Sequence, residues 1–138
     1  MTGQPDESRD VRAWVQRAEH DLLNIENNLV AARVPWDTVC FHAQQSAEKY
    51  LKALLISNGV AAPKSHDLRL LIQRIPPTIP VNLNLDRILL LNRYTMEGRY
   101  PGDWEPLDRS VGLEAVEIAR TVRETVRALL PPQAFEGK

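Results

Sequence analysis

The chain has 138 residues, 43% of them hydrophobic and 25% charged, which suits one globular domain over 1–138 and excludes a second core. A formal net charge of −1 excludes a global basic footprint, so an anionic ligand must meet a local patch and no reading of DNA sequence is expected. The single cysteine, Cys40, excludes an internal disulfide and a cysteine metal cluster, and the lack of a long apolar run or leader-like start points to a cytoplasmic protein with no membrane span.

From Val11, the apolar residues Val15, Ala18, Leu22, Ile25 and Leu29 recur at steps of four and three. This is the stripe of an amphipathic helix, flanked by Trp14 and expected to fade near Arg33, because the residue before Pro35 avoids helical geometry. A second helix is predicted from an N-cap at Asp37 to a stop at Ser57-Asn58-Gly59, with Gly59 suited to the left-handed position after the last turn. Ser65 or Asp67 can cap a brief third helix through Leu68, Leu71 and Ile72. The prolines between Ile75 and Pro80 make a crossover connection, since each removes a backbone donor. A fourth helix is predicted from about Leu83 through Ile88, Leu89 and Asn92 to Met96 or Glu97, where Gly98 and Pro101 end it. After an irregular loop, Val111, Ala115, Ile118, Val122, Val126 and Leu129 mark a last long helix closed by Pro131-Pro132. No alternating strand pattern competes, so the expected fold is an all-α, up-and-down four-helix bundle with an extra short helix and flexible segments at 1–8 and 132–138.

Three places stand out from this frame. On the second helix, Cys40, Ala43, Ala47, Leu51, Leu54 and Leu55 form the core arc, and Gln44 falls inside it, so its amide must bond to another helix or lie at a subunit boundary. The opposite face carries His42, Gln45, Lys49 and Lys52, read as either a solvated polar stripe or a basic edge facing a ligand or partner. His66 precedes the third helix, where an imidazole can cap backbone groups, reach a neighbouring helix, or meet a ligand. The lone histidines His20, His42 and His66 lack metal-ligand spacing, so neither metal nor cofactor is expected. The third place is Arg93 to Pro101, which sets Arg93, Tyr94, Glu97, Arg99 and Tyr100 around a helix exit. Arg93 and Glu97 can pair across one turn, and Gly98 lets the chain bend and project Arg99 and Tyr100 together. Guanidinium forks bind phosphate and tyrosine rings stack on bases, so the stretch reads as a nucleotide or RNA site, or else as an inter-helix salt-bridge cluster with core tyrosines.

Four ordered segments carry a resemblance: Trp14, Ala18 and Asp21-Leu22; the run His42 to Leu54; His66-Asp67-Leu68; and Tyr94-Thr95 with Arg99-Tyr100-Pro101. Together they resemble the HEPN domain family. The resemblance implies a helical bundle that forms a homodimer, a site for nucleotide or RNA, and pairing with a minimal nucleotidyltransferase in toxin-antitoxin modules. In RNA-cleaving members an arginine and a histidine a short distance downstream act at a dimer cleft. Six residues separate Arg93 from Tyr100, so the resemblance puts a tyrosine where that histidine is expected. A phenol with a pKa of about 10 is a poor base at neutral pH, although it can stack or donate a hydrogen bond. Arg93 and Tyr100 are the candidate catalytic pair, and Arg99, Tyr94, Glu97, His42, Lys49 and His66 the candidate ligand-binding residues. Three functional readings result: a nucleotide- or RNA-binding, toxin-like partner of a nucleotidyltransferase with a degenerate nuclease site; a non-catalytic dimeric scaffold; and an active metal-independent RNA endonuclease.

Overall fold

The computed structural model describes residues 4–95 and 107–135. The first apolar stripe winds into helix α1, Gln4–Leu29, with Val11, Val15, Ala18, Leu22 and Ile25 all buried. It begins well before the first stripe residue, so the segment expected to be flexible at the start continues the helix from Gln4. It also stops short of Arg33, at Leu29.

Helix α2, Trp36–Ser57, is the central element. It packs along α1 on one side and along α5, Arg109–Leu129, on another, while α3, Leu68–Gln73, and a 3-10 segment, Leu90–Tyr94, close a third. Every residue of the expected core arc on α2 is fully buried, and the alanines at 43, 47 and 53 let neighbouring backbones approach closely. The N-cap position belongs to Pro35, without a side-chain bond. Asp37 is instead inside the first turn, where its Oδ1 accepts the Thr38 amide at 2.8 Å and its charge favours the helix N-terminus. At the other end the expected stop forms: Gly59 has φ of 77°, and the amides of Gly59 and Val60 donate to Ile56 and Leu55 carbonyls at 3.0 and 2.9 Å, which is the double bond of a left-handed C-terminal cap.

Asp67 caps α3 by accepting the Arg69 amide at 3.0 Å. The predicted fourth helix is curtailed. Asn84 caps α4, Leu85–Leu89, and the chain then tightens into the 3-10 segment, whose three-residue turn sends Leu91 into the core and Asn92 toward α3. Asp108 caps α5 by accepting the Val111 amide at 3.0 Å. Its Gly112 is a packing glycine, since a Cβ there would lie 2.3 Å from Cε3 of Trp36. Beyond α5, where flexibility is expected, Pro132–Phe135 form a 3-10 turn that rests on α1 and buries Ala134. The result is an all-helical bundle, with no strand among the described residues. No described helix is long and apolar enough to cross a membrane.

Candidate functional site

A helix packed on three sides cannot keep a solvated polar stripe, and α2 does not. The face expected to be solvated turns inward onto two buried carboxylates. Asp21 of α1 is 6% exposed. Its Oδ1 accepts the Nδ1 proton of His42 at 2.8 Å and its Oδ2 accepts Lys49 Nζ at 2.7 Å. Candidate ligand residues His42 and Lys49 are therefore engaged within the bundle, and the reading of their face as a solvated stripe is corrected.

Glu48, 2% exposed, organises a second network. Its Oε1 accepts His66 Nδ1 at 2.9 Å and the Gln44 and Gln45 amides at 3.3 and 3.4 Å, and its Oε2 accepts Lys52 Nζ at 3.0 Å. Gln44 also donates to the His66 carbonyl at 3.0 Å and accepts from Gln45 at 2.7 Å. The buried amide predicted to need another element has found one, in the loop before α3. Lys52 Nζ also lies 5.3 Å from the centre of the Trp14 ring, so its charge meets both an ion pair and an aromatic face. His66 reaches across to α2, while its ring stays 49% exposed.

The loop bearing His66 is in turn fixed to the 3-10 segment. Asn92 Oδ1 accepts the Leu68 amide at 3.0 Å, and Asn92 Nδ2 donates to Asp67 Oδ1 at 2.9 Å. Asn92 thus does for the start of α3 what a second cap would do. Arg93, exposed, and Tyr94, half-buried, follow directly. His66 and Arg93 consequently belong to one end of the bundle, each one residue from the Asp67 to Asn92 bridge. The remaining candidates Glu97, Arg99 and Tyr100 lie outside the described residues.

A third polar cluster was not anticipated from the sequence. Glu19 of α1 accepts Arg123 Nε and Nη2 of α5 at 2.7 and 3.3 Å and the Tyr50 hydroxyl of α2, to which Arg127 Nη1 donates at 3.2 Å. Burial acts to raise the Glu19 pKa, but the bonds from Arg123 and Tyr50 and the two guanidinium charges prevail and hold it below the ordinary carboxylate value. Burial, with Glu19 beside it, pushes the Tyr50 phenol up to about 12. Burial and the Asp37 charge likewise push the Cys40 thiol up to about 11, which suits a packed thiol rather than a nucleophile. Asp21 could have been found on the sequence: Ala18 and Ile25, three before and four after it, are core residues, so the carboxylate falls on the buried stripe. Glu48 shows the same signal beside Gln44 and Leu51. Among the described residues no group of three or more His, Cys, Asp or Glu side chains is placed to hold a metal ion.

The family model of the HEPN domain matches residues 11–129, which takes in α1 from its first core residue through the last residue of α5. The chain belongs to the HEPN domain family. No curated protein and no solved structure gives a match. Membership carries a nucleotide- or RNA-related, nuclease-like role at the level of the family. Within this HEPN domain, the buried networks of Asp21 and Glu48 bind α1, α2 and the loop before α3 into one frame, and Arg93 is carried on the edge of that frame by Asn92.

Proposed function

We propose that this HEPN domain binds nucleotide or single-stranded RNA at the end of the bundle where Arg93 leaves the 3-10 segment. The observation that carries the reading is an exposed arginine on a fixed platform: Asn92 is bonded to both Asp67 and the Leu68 amide, with the half-exposed His66 alongside. A guanidinium held by its backbone rather than on a wandering loop loses less freedom on meeting a phosphate. Arg99, Tyr94 and Tyr100 belong to the same proposal, with the arginines as phosphate contacts and the tyrosines as stacking faces. In the cell the protein works as the toxin-like, homodimeric half of a module whose other half is a minimal nucleotidyltransferase.

Titration of ATP and of a short single-stranded RNA into wild type and an Arg93→Ala, Arg99→Ala double variant tests the site. The wild type is expected to bind at least one of them and the folded variant to lose that binding. Equal binding by both proteins would remove the site from this end of the bundle. Light scattering tests the dimer, and a species of only 15.7 kDa at micromolar concentration would contradict it.

A further inference from the structure

Two helices and the chain that leaves α2 border a cavity of about 660 Å³, lined by Asp10 and Trp14 of α1, Lys52 and Ile56 of α2, and Val60 and Lys64 beyond the Gly59 cap. Each helix supplies a pair four residues apart, so both members of a pair share one helix face. The volume is in the range of small-molecule sites. Its walls are mostly apolar, and the half-buried Trp14 ring is their one aromatic face.

Charge is placed unevenly along these walls. Lys52 is 6% exposed; its Nζ donates to Glu48 Oε2 at 3.0 Å and has the Trp14 ring on another side, which leaves one N–H direction for a guest. Asp10 and Lys64 are exposed and of opposite sign, and they line the same cavity without an ion pair to each other or to any other described residue. Lys52 already balances Glu48, so one cation and one anion remain unmatched beside an apolar wall. A simple anion would leave Asp10 unmatched, and a simple cation would leave Lys64 unmatched. A zwitterion matches both.

We propose that this cavity binds a free α-amino acid with an apolar side chain, its carboxylate between Lys52 and Lys64, its ammonium at Asp10 and its side chain on Trp14, Ile56 and Val60. The inference stands apart from the RNA reading, since none of these residues is assigned to the Arg93 end. A carboxylate bonded to the buried ammonium is little screened and dominates the binding, whereas the contact with exposed Asp10 adds a smaller share.

Calorimetric titration of the full chain with four probes separates the parts of the guest. L-phenylalanine is expected to bind saturably, one molecule per chain. Phenethylamine, which lacks the carboxylate, should bind about tenfold more weakly or worse, the loss expected of a hydrogen bond to a charged group. 3-Phenylpropionate, which lacks the ammonium, should lose only about two- to fivefold, as for an exposed ion pair. Glycine, with both charges and no apolar body, should give no saturable heat. In Asp10→Asn, L-phenylalanine and 3-phenylpropionate should bind equally. A Glu48→Leu, Lys52→Leu double variant, which removes the buried ammonium with its partner, should lose most of the preference for L-phenylalanine over phenethylamine; if its melting shows it unfolded, Lys64→Ala takes its place with a smaller loss in the same direction. No saturable heat with L-phenylalanine, or phenethylamine or glycine binding as tightly, overturns the proposal. 3-Phenylpropionate binding to wild type at least as tightly as L-phenylalanine overturns the role of Asp10 and the zwitterion with it.

Discussion

Replacing Glu48 by leucine removes the acceptor that Lys52 faces in the interior. Both members of that pair are nearly out of water, with side-chain exposures of 3% and 8%, so the interaction is little screened and the cost is that of an orphaned buried charge, about 3–5 kcal/mol. Lys52 also lines a cavity of about 660 Å³ beside Trp14 and Lys64, into which its ammonium can turn. That escape places the cost at the lower end, about 3 kcal/mol. With unfolding entropy of about 2.1 cal/mol/K per residue over 138 residues, the expected fall in Tm is about 10 °C. The other groups on Glu48 are less exposed to loss, because Gln44 keeps the His66 carbonyl, Gln45 keeps Gln44, and His66 can turn to solvent. A Glu48→Leu, Lys52→Leu double variant should therefore recover more than half of the loss, since it removes both charges. Calorimetric or denaturant unfolding of the single and double variants decides it. A single variant that costs under about 1 kcal/mol, or a double variant no more stable than the single, refutes the reasoning that an unpaired lysine is the source of the loss.

Gly112→Ala should destabilise by about 1–3 kcal/mol, because the new methyl overlaps the Trp36 ring and either the ring or α5 must shift; denaturant midpoints read this, and combining the change with Trp36→Leu should relieve part of it. Ser46 is fully buried and its hydroxyl has no hydrogen-bond partner among the described residues, so Ser46→Ala should be neutral or stabilising by up to about 1 kcal/mol, as measured by thermal unfolding. Glu19, its pKa held low in the folded state, contributes stability that is complete above its ordinary value of 4.5 and is lost as pH falls through the lower folded value. Melting curves from about pH 6 down to about pH 3 should accordingly fall less steeply for Glu19→Gln than for wild type.

Much of the fold is legible in the residue pattern, because α1, α2 and α5 each repeat apolar residues over several turns and local geometry then leaves one face to bury. Gly59 and Asp67 were equally readable, as each performs the backbone task its type is suited to. The errors have physical causes. Asp37 has the chemistry of an N-cap, but the extended backbone at Pro35 starts the helix earlier. The fourth helix has the period of an α-helix, yet Asn92 is drawn to Leu68 and Asp67 from far along the chain, a contact no local pattern encodes. The solvated alternative for the polar face of α2 fails for the same reason: a helical wheel orders one helix's residues but does not show that Asp21 arrives from α1 to meet His42 and Lys49. Of the candidate site, Arg93, Tyr94 and His66 come to one end of the bundle, while His42 and Lys49 serve the α1 to α2 contact.

The claim that Arg93 meets a nucleic-acid phosphate is tested most directly by the salt dependence of RNA affinity. Binding of a short single-stranded RNA to wild type should weaken steadily as salt rises, and Arg93→Ala should both weaken it and reduce the slope of log affinity against log salt by about 0.7, the release expected for one lost phosphate contact. An Arg93→Ala protein that is folded and shows the wild-type affinity and slope would contradict the account.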